Sequence, residues 1–205
     1  YKNEIERVGI NLKKNFRVRK EDLLNFDKII LATGVKPRES KIPGSELAKN
    51  VFSYQEVFEK GANIGEKVAI IGAGGIGFDV AEYLASSGKS PTLDLKKWLQ
   101  EWGVVDPELE RGGISLDYKK DVELDGREIF LLQRRNERLG KGLGKTTGWI
   151  HRKSLLKKGV QMIGGVNYEE VLSEGLVVSF GDEKKDRKTL KVETIIVCAG
   201  QESET

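Results

Sequence analysis

Residues 67–77 constrain this chain more than any other stretch. Lys67-Val68-Ala69-Ile70-Ile71 runs without polar alternation straight into Gly72-Ala73-Gly74-Gly75-Ile76-Gly77. A continuous apolar run of this length reads as a strand covered on both faces, as in a parallel sheet. Gly75–Ser86 then reads as a helix, because Ile76, Val80, Ala81 and Leu84 fall on one stripe. The spacing G-x-G-x-x-G means little alone, since glycine turns needing positive φ arise by chance. Between a strand and a helix it points to a dinucleotide loop. Gly72 permits the tight exit from the strand, Gly74 lets a pyrophosphate approach bare backbone, and Gly77 lets the helix pack close to the sheet. Unpaired N–H groups at the helix mouth, including those around Ala73, Gly75 and Ile76, then face the phosphates with the positive end of the helix dipole.

The choice between NAD and NADP turns on what ends the second strand. An acid there suits the ribose hydroxyls of NAD, whereas arginine suits the 2′-phosphate of NADP. Two segments compete. Asp94 lies at about the usual distance of 20 residues beyond the glycines, within Thr92-Leu93-Asp94-Leu95, a short run that follows Pro91 and enters a polar helical pattern. Glu128–Gln133 is a better strand and continues into Arg134 and Arg135. Planar guanidiniums bind phosphate through paired, charge-assisted hydrogen bonds. The pattern favours NADP, with Gln133, Arg134 and Arg135 at the site; the competing reading of the arginines is a solvated charge cluster.

The remaining segments read as follows. Residues 1–9 end a helix at Gly9; Ile10–Leu12 and Phe16–Val18 are strand-like; Glu21–Phe26 is a turn or short helix; and Lys28–Ala32 is a buried strand stopped by Thr33-Gly34. Tyr54–Glu59 is a short helix capped by Ser53. Gly88 and Pro91 end the first long helix. Residues 88–127 are an inserted excursion, with a helix over Leu95–Trp102. Gly148–Lys158 is helical, with Thr147 as N-cap and Gly159 just past its end. Val160–Ile163, Glu169–Leu172 and Leu176–Phe180 are strands, the polar run Gly181–Lys188 is a hairpin turn, and Thr194–Ala199 is a last buried strand before Gly200.

Composition narrows the class. Of 205 residues, 38% are hydrophobic and 33% charged, which excludes a disordered chain. No apolar run approaches the roughly 18 residues of a membrane span. The net charge of +3 is spread among acids, so nothing points to nucleic acid. One cysteine, Cys198, excludes an internal disulfide and reads as a buried, inert thiol in a reducing, cytoplasmic setting. No initiator methionine is present and the chain stops just after an apolar strand, so we expect a piece of a longer protein. Gly144-Lys145-Thr146 imitates the end of a P-loop, but the first glycine such a loop requires is replaced by Leu139 and no strand directly precedes it. The loop Gly140–Gly148 has two open readings, a cover over the cofactor or a plain mobile loop. His151, the one histidine, reads as structural, and no catalytic residue is assigned.

Lys67–Gly77 with Phe78-Asp79, the insertion bearing Glu101-Trp102-Gly103, Leu132–Arg135, and Gly142-Leu143-Gly144-Lys145-Thr146-Thr147-Gly148-Trp149-Ile150-His151-Arg152 together resemble the bacterial NADPH-dependent 2,4-dienoyl-CoA reductases. Ile195–Glu202 fits the same family, and the likeness extends over essentially the whole chain. It implies an α/β fold: a Rossmann-like NADP-binding domain, with a parallel sheet, helices and a small antiparallel β-meander, inserted in a partial FAD-binding domain. Residues 1–50 would be FAD-domain sequence, 51–200 the NADP domain with its insertion at 88–127, and 201–205 the start of the return. Arg17 and Val18 match a strand beside the FAD adenine. Ala32-Thr33-Gly34 and Ala199-Gly200 match the two crossings between domains, the second lacking the usual threonine.

The resemblance also implies a TIM barrel with FMN and a 4Fe–4S cluster, joined to the remainder of the FAD domain as partners in the same polypeptide, with acyl-CoA bound there. One cysteine cannot hold such a cluster. The FAD site is expected to be incomplete and FAD weakly held. Two alternatives stay open: a related enoate reductase or amine dehydrogenase-like flavoenzyme, and a redox-inactive NAD(P)-binding module.

Overall fold

The computed structural model describes residues 1–86, 90–115, 126–181 and 183–204. They divide into a smaller unit, Tyr1–Gly34 with the terminal residues from Ser203, and a larger one, Val35–Glu202. In the smaller unit, helix α1 (Lys2–Arg7) ends at Gly9, whose φ of +69° closes the last turn. A single 3-10 turn, Lys20–Leu23, is capped where the Arg19 N–H donates to Asp22 Oδ2 at 2.8 Å.

The strands expected at Ile10–Leu12, Phe16–Val18 and Lys28–Ala32 are absent, and Lys28–Ala32 is not buried: Ile30 is 90% exposed. A strand exists only against a neighbour that accepts its ladder of hydrogen bonds. Among the described residues of this unit no segment supplies one, so β-branched composition alone does not make the element.

The larger unit contains β1 (Val35–Pro37), β2 (Val51–Ser53), α2 (Tyr54–Glu59), β3 (Lys67–Ile71), α3 (Gly75–Leu84), α4 (Leu95–Trp102) and β4 (Glu128–Leu132). There follow α5 (Gly148–Lys157), β5 (Gln161–Ile163), β6 (Val166–Leu172), β7 (Gly175–Phe180), β8 (Asp186–Lys191), β9 (Thr194–Val197) and β10 (Gln201–Ser203). Five strands form a parallel sheet in the order β2-β9-β3-β4-β5, β6-β7-β8 form an antiparallel meander, and β1 pairs with β10. This is the mixed α/β architecture expected of the chain.

The unbroken apolar run of β3 has its reason here. Val68 and Ile70 join Phe78, Val80, Ala81 and Leu84 of α3 and Leu155 of α5 in one core. Ala69 and Ile71 face the other way, onto Val166, Val171, Leu176 and Val178 of the meander. With helices on one face and the meander on the other, alternation would have placed polar groups in one of two dry layers.

Several boundaries differ from expectation. Residues 51–53 form an edge strand that the sequence does not advertise, because three residues carry no readable period. The polar run Gly181–Lys188 is not wholly a turn: residues 186–191 form β8, a charged outer strand whose solvated side chains imitate a loop. Thr147 precedes α5, but its hydroxyl makes no capping bond. Gly88, expected to end α3, lies outside the described residues, as does 116–125 of the insertion and Asp182 of the hairpin.

Ser53 does cap α2, in a reciprocal box. The Glu56 N–H donates to Ser53 Oγ at 3.3 Å, and Ser53 N–H and Oγ–H reach Glu56 Oε2 at 2.9 and 3.0 Å. The Ser53 N–H, helped by Lys60, holds the Glu56 carboxyl below the usual carboxylate range. A group depressed in this way stabilises the fold above its unfolded pKa, and that contribution is lost as pH falls through the folded value. Glu56→Ala should therefore cost about 0.5–1 kcal/mol at neutral pH, solvent screening included. In thermal melts, the gap from the native chain should close in acid.

Candidate dinucleotide site

The five-stranded sheet presents its strand C-termini together, since Ile71 is level with both Leu132 and Val197. Just beyond that edge the chain turns at Gly72, where φ is +106°, and its N–H donates to Leu132 O at 2.9 Å. A Cβ at Gly72 would lie 2.8 Å from Cys198 O, and one at Gly77 only 1.8 Å from Gly72 O. The loop is thus clamped between β9 and α3. Gly74 and Gly75 differ: both are exposed, and a Cβ on either would meet nothing within 4 Å. Gly74 is the N-cap of α3 without a side-chain cap, and no acid occupies the first turn. Ala73 and Ile76 pack partly against the core beside them. Open backbone amides at the start of a ten-residue helix fit a pyrophosphate.

The competition for second strand is decided by register. β4 lies directly beside β3, whereas Asp94 lies between α3 and β4 as N-cap of α4, accepting from the Lys97 N–H at 3.2 Å. Gln133, Arg134 and Arg135 therefore leave the sheet one strand from the glycine loop. Their backbone is held by the β5–β6 connection: Gln133 N–H donates to Ile163 O, Val166 N–H to Gln133 O and Gly165 N–H to Arg135 O, at 2.9, 3.0 and 3.2 Å. The Gln133 carboxamide is spent inside the turn, with Nε2 donating to Arg135 O at 3.0 Å and Glu137 O at 3.3 Å. Gln133 thus shapes the turn through its side-chain amide. Burial pushes the Tyr168 phenol up, and the positive charge of Arg134 partly draws it back.

Ala199 and Gly200 adjoin the glycine loop, since the Cβ position of Gly72 is 3.1 Å from Ala199 N. Gly200 has φ of +104° and accepts from the Arg38 N–H at 3.2 Å. Cys198 beside them is buried, which pushes its thiol up to about 12 and keeps it protonated. In the smaller unit, Gly34 accepts from the Glu204 N–H at 3.0 Å, and the Thr33 hydroxyl donates to the Glu204 carbonyl, next to Ala32. Arg17 and Val18, also in that unit, are exposed and outside any strand.

Gly140–Gly148 is a series of turns held at its ends and exposed between them: a Cβ at Gly140 would lie 2.9 Å from Phe78 Cζ and one at Gly148 2.7 Å from Leu143 Cβ, whereas Lys141, Gly142 and Gly144–Thr147 are exposed. His151 braces the two core helices, its Nδ1 3.1 Å from Glu82 Oε2. Lys157 donates to Glu101 O at 2.7 Å and lies over the Trp102 ring, fastening α4 to α5. Glu137, which the sequence does not single out, pairs with Arg135 of the turn and with Lys141 of the Gly140–Gly148 loop; its only signal is a run dense in both charges. No described helix is long and apolar enough to cross a membrane. Among the described residues no group of three or more His, Cys, Asp and Glu side chains could hold a metal ion.

A parallel sheet with a glycine loop at its carboxyl edge defines a dinucleotide-binding α/β protein. The chain belongs to the pyridine nucleotide-disulphide oxidoreductase family, whose profile matches residues 2–205. It is a flavin-dependent pyridine nucleotide oxidoreductase domain, of a family that binds FAD and NAD(P). It is 36% identical to cinnamate reductase of Clostridium sporogenes over 95 residues, 45% of this chain and 14% of that protein. It is 23% identical to a metal reductase of Desulforamulus reducens over 209 residues, 98% of this chain and 29% of that protein. The chain thus spans less than a third of either relative. In fold it is similar to 2-naphthoyl-CoA reductase, solved in complex with 2-naphthoyl-CoA, with a TM-score of 0.64 at 22% identity, covering 98% of this chain and 24% of that one.

Proposed function

We propose that this chain is the NADPH-binding part of a flavoenzyme that reduces 2,4-dienoyl-CoA. When bound, NADPH would supply hydride to FAD, whose electrons would pass singly through a 4Fe–4S cluster to FMN in a barrel of the same polypeptide. The chain's own contribution is binding and orientation. Backbone amides of Gly74–Gly77 hold the pyrophosphate, and the Arg134-Arg135 turn takes the 2′-phosphate. Ala199-Gly200 borders the same cleft, while Arg17, Val18, Ala32, Thr33 and Gly34 serve FAD. The observation that carries this reading is the pairing of β4 with β3, which brings the arginine turn beside the glycine loop.

Cinnamate and 2-naphthoyl-CoA, the compounds for which two similar proteins are named, share with a dienoyl-CoA an unsaturated system conjugated to a carbonyl. That likeness supports the substrate class. The identity to cinnamate reductase favours one second reading, an enoate reductase acting on a free acid.

Arg134→Ala should weaken NADPH by about 1.5–3 kcal/mol and NADH by less than about 0.5. Equal losses in a binding titration would defeat the NADP assignment. Steady-state NADPH oxidation by the full-length enzyme, with a dienoyl-CoA or cinnamate as acceptor, separates the two substrate readings. Absence of flavin reduction by NADPH would leave only a binding module.

A further inference from the structure

Arg134 and Arg135 are adjacent in sequence, yet their surroundings differ. Glu137 lies two residues beyond Arg135, with Oε1 3.7 Å from Arg135 Nη1 and Oε2 2.8 Å from Lys141 Nζ. Among the described residues no carboxylate pairs with Arg134. The frame beneath these side chains is fixed: the Arg135 carbonyl accepts from Gln133 Nε2 and the Gly165 N–H, and the Glu137 carbonyl accepts from Gln133 Nε2. A Cβ at Gly164 would lie 3.2 Å from both the Arg135 and Glu137 carbonyl oxygens, so the β5–β6 connection presses directly on the turn. The three side chains leave a backbone with little room to move.

We propose that Glu137 sets the specificity of this turn by occupying Arg135 and Lys141, leaving Arg134 as the guanidinium that reads the 2′-phosphate. The inference rests on the NADPH reading above and divides the work within it. A carboxylate bonded to Lys141 and ion-paired with Arg135 offsets part of their attraction for an incoming dianion and repels that dianion itself. Glu137 remains ionised at neutral pH, its carboxyl held low by the Lys141 ammonium and secondarily by Arg135. Three cations and one carboxylate around the turn thus act on phosphate as about two net positive charges. The arrangement keeps NADPH affinity moderate, which suits a hydride donor that must leave after each turnover.

A double-mutant cycle read by calorimetry with NADP+ and NAD+ on the full-length protein tests this. In the native background, Arg134→Ala should weaken NADP+ about tenfold or more, and Arg135→Ala less than about twofold. Glu137→Gln should tighten NADP+ about three- to tenfold and leave NAD+ unchanged. Within Glu137→Gln, Arg135→Ala should then cost about fivefold or more. An Arg135→Ala effect of the same size in both backgrounds would overturn the proposal while leaving the NADPH reading intact. A native protein that binds NADP+ and NAD+ alike, and is indifferent to Arg134→Ala, would remove both. If Glu137→Gln does not fold, the native-background comparison decides: equal losses for the two arginines overturn the division.

Discussion

Gly77→Ala should destabilise the chain by about 3 kcal/mol or leave it unfolded at 37 °C, seen as a large drop in the urea or thermal midpoint. The added methyl would sit 1.8 Å from the Gly72 carbonyl oxygen and 2.9 Å from its carbon. Both are backbone atoms, and Gly72 has nowhere to retreat. Its N–H is bonded to Leu132 O, and its own Cα faces Cys198 O. Relief requires α3 to back away from the sheet, opening the layer that buries Phe78, Val80, Ala81 and Leu84 against Ile70 and Leu131. An unchanged midpoint would show that the helix does not pack as closely as these atoms place it.

Gly74→Val should have the opposite signature: a stability loss of only about 1 kcal/mol, the cost of a poorer N-cap, but dinucleotide affinity reduced about a hundredfold. The backbone at Gly74 is extended, with φ of −83°, so a side chain is tolerated, and nothing lies within 4 Å of its Cβ position. An isopropyl group would fill the space in which a pyrophosphate meets bare amides. NADP+ and NAD+ should lose equally, because the pyrophosphate is common to both, whereas Arg134→Ala discriminates between them. Native affinity in Gly74→Val, measured by calorimetry beside a melt, would remove the loop from the site. The pair of glycine variants thereby separates packing from binding within one six-residue motif.

The elements legible in advance were those whose cause is local. β3 announces itself by an unbroken apolar run, α3 by its stripe, α2 by the Ser53–Glu56 box, and α4 by its pattern between Asp94 and Gly103. Errors fell where the cause was distant. Lys28–Ala32 has the composition of a strand, but among the described residues of its unit there is no neighbour to complete one. β2 has too few residues to carry a period and exists because Val51–Ser53 pairs with Ile195–Val197, far along the chain. β8 has solvated side chains and is a strand only because β7 bonds to it.

The candidate site divides in the same way. Its glycines were legible because their spacing between a strand and a helix is a local pattern, in which Gly72 and Gly77 exclude a side chain and Gly74 leaves bare backbone. The arginine turn was legible as residues, but its placement was not. The long stretch of sequence between α3 and β4 let Asp94 and Arg134 compete for one position, and only the hydrogen bonds of β4 to β3 removed Asp94 from it. Glu137 could not be weighted from sequence at all, because a charge in a polar run matters only through its distance from other charges. By itself the sequence determined local conformation and the chemistry on offer, since periodicity, capping and backbone freedom act over a few residues. The tertiary structure alone decided which strand borders the glycine loop and which cations Glu137 meets, because pairing and charge separation join residues that the chain does not place together.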